Sequence, residues 1–236
     1  MRSISVFGFI TFLFLRAAAA VDGQQTIFSV PSADVMDKGK VYGELDASFK
    51  FNCEPALCKF SSFVPRVVVG TGGNVEIGLN LNGNVQPGPD ATTLVGAVKW
   101  RFYHNEKKGW TLYAGNHFYF PVRNRAYNFG THTYVAVAKT IKNTRLTAGG
   151  WVASKNVFAP NAVRAGGMFG FEQTVTKEFS IIADWFTGKH SAGYFTPGFS
   201  FKPTSKSTGY VGYSIGNVAT AQGNHYFLME FGYNFN

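Results

Sequence analysis

The chain has 236 residues and a formal net charge of +9, and it contains 27 glycines, 24 phenylalanines and 17% aromatic residues. This composition excludes a helical bundle, in which Ala, Leu, Glu and Lys dominate. The apolar runs are shorter than the roughly 20 residues that a membrane-crossing helix needs. Any crossing of a membrane must therefore use strands.

The first twenty residues have the layout of a secretory signal peptide. Arg2 precedes an apolar run from Val6 to Leu15, and small residues lead to Ala20. The apolar run is about half the length of a membrane-spanning helix, which favours a cleaved signal over a retained anchor. We predict cleavage after Ala20, although Arg16 is unusual so close to a cleavage site. Because export removes the chain from nucleic acid, its basic charge indicates a different partner, such as phosphorylated lipid.

The remaining chain is predicted to form two parts. Residues 21–39 are polar and are interpreted as a periplasmic N-terminal segment, and residues 40–236 as a transmembrane β-barrel. The sequence leaves open whether residues 21–38 enter the barrel and plug it. Its length suits one large sheet closed on itself, with no linker between domains.

Short alternating segments separated by Gly, Pro, Asn and Asp predict about twelve strands. They run over residues 40–50, 63–70, 74–82, 92–104, 110–121, 130–141, 144–155, 164–175, 178–188, 193–202, 207–216 and 225–235. Long and short connections take turns along the chain, with the exception of the short loop 189–192. This pattern predicts a closed antiparallel up-and-down barrel, with both chain ends at the periplasmic side.

The two cysteines of the chain, Cys53 and Cys58, lie in the first long connection. In an oxidising compartment they are predicted to form a local disulfide. Two thiols without further ligands nearby do not complete a tetrahedral metal site, so we predict no metal and no cofactor.

The strand faces opposite the apolar stripes carry charged and polar side chains of both signs. A cation that faces lipid near the bilayer midplane costs about 2 to 4 kcal/mol, so these side chains are predicted to line the lumen. The candidates are Glu44, Asp46, Glu76, Lys99, Arg101, His117, Lys139, Arg145, Arg164, Glu172, Asp184 and Glu230. Either they set the electric field along an aqueous path, or they pair with one another across a filled interior.

The last strand alternates most regularly. Phe227, Met229, Phe231, Tyr233 and Phe235 point to one side, and smaller or polar residues to the other. This ending resembles the C-terminal signal by which outer-membrane barrels engage their assembly machinery. Aromatic residues near other strand ends are typical of interfacial girdles, whereas the alternative, a soluble sandwich, buries one face of each sheet.

A second resemblance covers the last quarter of the chain. The stretch Ala183-Asp184-Trp185-Phe186-Thr187-Gly188, followed by residues 193–198, resembles a family of outer-membrane proteins associated with the meta-cleavage pathway of phenol degradation. That resemblance implies a barrel that assists uptake of small, partly apolar organic molecules.

The resulting hypothesis is a Gram-negative outer-membrane channel or facilitator for small solutes, in contact with the bilayer and lipopolysaccharide. The alternative is a structural or surface-interaction barrel with a closed lumen. A barrel hydrolase would need His and Ser side chains on one strand face, and His190-Ser191 places neighbours on opposite faces. The sequence therefore predicts no enzyme.

Overall fold

A computed structural model describes residues 26–49, 61–82, 92–122, 129–218 and 224–235. In these ranges the chain forms twelve strands: β1 (Val41–Phe49), β2 (Ser61–Gly72), β3 (Val75–Asn82), β4 (Thr93–Asn105), β5 (Trp110–Pro121), β6 (Gly130–Ile141), β7 (Thr144–Ala153), β8 (Ala165–Thr174), β9 (Phe179–Phe186), β10 (Tyr194–Phe201), β11 (Ser207–Gly216) and β12 (His225–Asn234). Within the same ranges, no helix has the length and hydropathy to span a bilayer.

Every strand pairs antiparallel with its neighbour in the chain, and β1 pairs with β12 to close the barrel. At the closing seam Asp46 lies opposite Glu230, and Ser48 lies opposite Leu228. The sheet of the twelve described strands has no free edge, as a strand-built membrane protein requires. The predicted all-β up-and-down barrel is confirmed.

The alternation of side chains explains why these segments are strands of a barrel wall. On β12 the large apolar residues Met229, Phe231 and Tyr233 point outward and are exposed, whereas Leu228 and Glu230 point inward and are buried. Large apolar residues are exposed around the whole outside of the barrel, which in water would be unfavourable and in lipid is favourable. The exterior is that of a membrane-spanning barrel.

The two ends of the barrel differ in their connections. Short turns join the strands at the end where β1 begins and β12 ends, and the longer connections lie at the other end. Gly73 and Asn74 both have positive φ, as a two-residue hairpin turn requires to match the twist of its strands. The β9–β10 connection covers residues 187–193. It is longer than the predicted 189–192 because β9 ends at Phe186, before Gly188 with its positive φ.

The described part of the N-terminal segment lies inside the barrel. Ile27, Phe28 and Val30 are almost completely buried, and so are Ala33 and Met36. The sequence left open whether residues 21–38 enter the barrel, and residues 26–36 occupy its lumen. The bounds 21–39 of a periplasmic N-terminal segment stay a prediction. We call residues 26–36 the lumen segment.

The outward orientation of the β6 side chains gives a first testable prediction. Val135 lies near the middle of β6 and is 55% exposed, and Ile141, 54% exposed, lies on the same face at the strand end. Val135→Arg is expected to lower the free energy of unfolding in lipid vesicles by about 2 to 4 kcal/mol, and Ile141→Arg by about 0 to 1 kcal/mol. Guanidinium titration of both variants checks this, and equal effects would contradict the assigned membrane depth.

Candidate functional site

The tip of the lumen segment is a tight reversal of the chain. The amide of Ile27 donates to the carbonyl of Val30 at 2.7 Å, and Thr26 forms an isolated β-bridge with Pro31. Reversal directs several neighbouring main-chain amides toward one point of the barrel wall, where they act together as an anion-binding group.

Asp184, on β9, occupies that point. Its Oδ2 accepts hydrogen bonds from the amides of Phe28, Ser29 and Val30 at 3.0, 2.6 and 2.7 Å. The carboxylate is almost completely buried, so these amides replace the water that it would otherwise bind. Asp184 thereby fixes the tip of the lumen segment to the wall.

A largely buried ion cluster holds the segment nearer the short-turn end of the barrel. Both terminal nitrogens of Arg145 donate to Asp34, each at 2.8 Å, and the same guanidinium donates to Glu172 at 2.6 Å through Nε and through Nη2. Tyr113 adds a hydrogen bond from its hydroxyl to the carbonyl of Pro31 at 2.6 Å. The wall residue Arg145 therefore bridges one carboxylate of the segment and one of the wall.

Glu76 connects the base of the segment to the wall. Its Oε2 accepts the amide of Met36 at 2.8 Å, and its Oε1 lies 2.8 Å from Lys99 Nζ. Glu76 on β3 and Lys99 on β4 are direct cross-strand partners. Both side chains are 1% exposed, so Lys99 serves as a buried counter-ion.

Another charged group lies where β12, β1 and β2 meet. Arg66 donates to Glu44 and, at 3.0 Å, to Asp46, and it also donates to Thr26 of the lumen segment at 2.8 Å. The hydroxyl of Tyr42 donates to Glu44 at 2.5 Å. Among the described residues, Glu44, Asp46 and Glu230 bring three carboxylates within 4.8 Å of one another.

Glycines of the wall make room for the apolar side chains of the segment. A Cβ added at Gly170 would lie 2.3 Å from Ile27 Cδ1, and one added at Gly212 would lie 2.9 Å from Phe28 Cζ. Any larger residue at these positions would overlap the segment. The wall is therefore shaped to the lumen segment as well as bonded to it.

Aromatic residues fill the long-loop end of the lumen on the β6 to β9 side. Trp151 packs against Phe158, Phe186 and His190 at centroid distances of 5.9, 5.2 and 4.7 Å. The ring of His132 lies against both Trp151 and Phe186. Phe158 reaches this cluster from the β7–β8 connection, so that connection covers part of the lumen.

His190, in the β9–β10 connection, belongs to this cluster. Burial lowers its pKa, although the hydrogen bond from its Nε2 to the carbonyl of Thr187 acts in the opposite direction. The amide of Ala192 donates to its Nδ1 at 3.3 Å. Both ring nitrogens are therefore used in shaping the connection.

A cavity of about 500 Å³ remains on the opposite side of the lumen, at the long-loop end. The tip of the lumen segment forms part of its lining through Thr26, Phe28 and Ser29, and the walls are contributed mainly by β12 and β1 to β5. This volume is in the range of small-molecule sites. The lumen is therefore filled on the β6 to β9 side, and on the opposite side it leaves a partly polar space large enough for a small solute.

The structure assembles most of the sequence-predicted lumen residues around the segment. Those that contact it or belong to its neighbouring ion clusters are Glu44, Asp46, Glu76, Lys99, Arg145, Glu172, Asp184 and Glu230. His117 also faces inward, with its Nδ1 3.3 Å from Nδ1 of His132, and it lines the cavity. Arg101 lies at the short-turn end, where it donates to Asn74 at 2.8 Å.

Two predicted positions differ in the structure. Lys139 is on the outer face of β6, where its Nζ lies 4.5 Å from the ring centre of Trp110 and donates to the carbonyl of Lys108. Arg164 precedes β8 and is exposed at the long-loop end. Neither occupies the predicted place in the lumen wall.

Some of the sequence predictions concern residues outside the described ranges. These are the signal peptide, residues 21–25, Cys53 and Cys58, so the cleavage site and the disulfide stay predictions.

Sequence reasoning missed Arg66 and Asp34. Arg66 shares its inward face with Val64 and Val68, so no contrast between apolar and polar faces marked it. Asp34 belongs to a segment without strand periodicity. The sequence feature that could have indicated Asp34 is its position in a polar stretch that also holds several apolar residues.

No family model and no curated protein matches this chain. The resemblance of its last quarter to the phenol-degradation family is therefore not supported. Solved structures do match. The KdgM porin has a TM-score of 0.62 at 8% identity over 83% of this chain and 99% of that one. The KdgM porin in complex with disordered oligogalacturonate gives 0.53 at 11%, covering 84% and 99%. Outer membrane phospholipase A from Escherichia coli gives 0.50 at 13%, covering 86% and 94%. These similarities show the barrel fold.

Proposed function

We propose that the chain is an outer-membrane channel for small solutes, closed at rest by its own lumen segment. The observation that carries the proposal is that residues 26–36 lie in the lumen without joining the barrel's ladder of strands. Twelve strands close the barrel on their own, so the segment can leave without breaking a strand pair. A segment that fills a complete barrel and can leave it has the arrangement of a gate.

The surroundings of the barrel follow from its exterior and its N-terminal sequence. The predicted signal peptide directs export, and the apolar outer face fits a bilayer. We infer that the bilayer and lipopolysaccharide contact this surface, and that the alternating last strand engages the assembly machinery. Two of the similar structures are structures of a porin, in which a barrel of this fold supports transport. They therefore agree with a transport role.

A permanently closed structural barrel is the second candidate. The buried ion clusters and the aromatic packing on the β6 to β9 side favour it, because both fill space that solutes would need. The proposal also keeps the prediction that the chain is no enzyme. The structural similarity to a phospholipase brings no reaction with it, since fold does not determine function.

Single-channel recording tests the proposal. The chain from Val21 onward, inserted in a planar bilayer, is expected to be closed for most of the recording. Deletion of residues 26–36 is expected to give frequent, long openings, because water then fills the vacated lumen. A synthetic peptide of residues 26–36, added at the short-turn side, is expected to block the deleted barrel again, whereas a scrambled peptide is the matched control.

The folded state of each protein is checked by its gel mobility before and after boiling. If both folded proteins conduct no ions, the closed structural barrel replaces the channel. Equal conductance of both would show that the segment is not a gate.

A further inference from the structure

The cavity above the lumen segment has an unusual surplus of hydrogen-bond acceptors. Asp46 Oδ1, Asn80 Oδ1, Asn82 Oδ1 and Glu230 Oε2 are buried and have no hydrogen-bond partner among the residues that the structure describes, and all four residues line the cavity. Buried polar atoms in native proteins are normally paired, so a group of unpaired atoms around one cavity indicates a missing partner. The partner must mainly donate hydrogen bonds.

The strand register brings these acceptors together. Asp46 on β1 is the direct cross-strand neighbour of Glu230 on β12, and Asn80 on β3 is the neighbour of Arg66 on β2. The acceptors face the lumen from β12, β1 and β3, and Arg66 faces it from β2 between them. Asn80 is about nine-tenths buried and is not part of the acidic cluster, so it is an independent sign of a ligand.

The charge of the site favours a cation. Glu44, Asp46 and Glu230 supply three carboxylates, and Arg66 is the counter-ion, with contacts to Glu44 and Asp46. Asp46 and Glu230 lie directly opposite each other in the sheet, and two like charges in this arrangement are unfavourable. A ligand with positive charge relieves this repulsion, and an anionic ligand increases it.

The geometry favours an ammonium group over a metal ion. Calcium takes six to eight oxygen ligands, and here the guanidinium of Arg66 already occupies part of the carboxylate cluster. An ammonium group donates three hydrogen bonds, enough for three of the four acceptors, here Asp46, Glu230 and Asn80. The rest of a ligand meets the rings of Tyr119, Tyr194 and Tyr226, which offer flat apolar faces beside polar groups.

We propose that this cavity binds a small, polar, amine-bearing solute, with its ammonium group between Asp46, Glu230 and Asn80. The further step, that this solute is what the channel carries, rests on the function proposed above, whereas binding itself does not. The long-loop end then selects solutes by charge before they reach the lumen segment.

Calorimetry on the detergent-solubilised chain tests the inference without any channel activity. The probes are glucosamine, N-acetylglucosamine and glucuronate, which share a sugar ring and differ in charge. Glucosamine is expected to bind at least about tenfold more tightly than either of the others, because only it supplies an ammonium group.

Substitutions in the chain test where glucosamine binds. Glu230→Gln is expected to weaken glucosamine binding at least about tenfold, and Asn80→Ala to weaken it less, while Glu178→Gln, at an exposed turn, leaves it unchanged. The comparison of the three sugars uses the unaltered chain, so it remains decisive if a variant does not fold.

Equal binding of the three sugars, no binding of glucosamine, or full binding by folded Glu230→Gln would overturn the inference. Tight calcium binding that Glu230→Gln abolishes would also overturn it in favour of a metal site. Glucosamine binding by a barrel that never conducts would instead refute the channel alone.

Discussion

Arg145→Met is expected to expel the lumen segment from the barrel. The substitution leaves Asp34 and Glu172 facing each other without the guanidinium that bonds both. Breaking a buried ion pair by removing one partner costs about 3 to 5 kcal/mol, which lowers the ratio of docked to undocked segment by at least about a hundredfold.

The measurement uses a reporter thiol at Ala33, which is 4% exposed. Ala33→Cys is placed in a chain with Cys53→Ser and Cys58→Ser, and a maleimide on a polyethylene glycol too large to enter the barrel is added. Labelling of the folded protein follows the population in which the segment is undocked. With Arg145→Met, the labelling rate is expected to rise at least about a hundredfold.

Two further proteins make the result specific. Lys177→Met removes an exposed cation at a short turn, and it is expected to leave labelling unchanged. Adding Asp34→Asn to Arg145→Met removes one of the two opposed carboxylates and is expected to restore part of the protection. Slow labelling of folded Arg145→Met would show that the ion cluster does not hold the segment.

Asp184→Ala is expected to release the tip of the segment. Three amides lose their acceptor, and hydrogen bonds to a charged group contribute about 1.5 to 3 kcal/mol each when they act alone. Because the three share one oxygen, we expect a total loss of about 3 kcal/mol, which is about a hundredfold in the docked ratio. In planar bilayers the variant is expected to open far more often than the unaltered chain.

Asp184→Asn separates charge from hydrogen bonding. Its amide oxygen still accepts from the segment, so its open probability is expected to lie between those of Asp184→Ala and the unaltered chain. Glu178→Gln, which removes an exposed carboxylate from the turn before β9, is the control. An Asp184→Ala barrel that stays as closed as this control would contradict the role of the three amides.

The barrel was predictable because period-two alternation acts on each strand independently. β12 shows this clearly, with aromatic residues on one side and Glu230 on the other. β6 shows the limit. Its inner face carries Tyr134, Ala136 and Ala138, so both faces are largely apolar and Lys139 was assigned to the wrong side.

The position of the lumen segment could not be predicted from the sequence, for a different reason. Its contacts join residues far apart in the chain, such as Asp34 with Arg145 and Val30 with Asp184. Alternation predicts that Asp184 and Arg145 face inward, but it does not say which groups neutralise them. For the lumen charges the sequence left open an aqueous path or pairing across a filled interior, and several of them hold the chain's own N-terminal segment.

The reporter thiol at Ala33, in the folded chain that carries Cys53→Ser and Cys58→Ser and no further substitution, tests the central claim most directly. If the lumen segment closes the barrel, the large maleimide labels this thiol at least about a hundredfold more slowly in the folded protein than in the unfolded protein, which labels fully. Labelling of the folded protein as fast as of the unfolded one would place the segment outside the barrel and contradict the account.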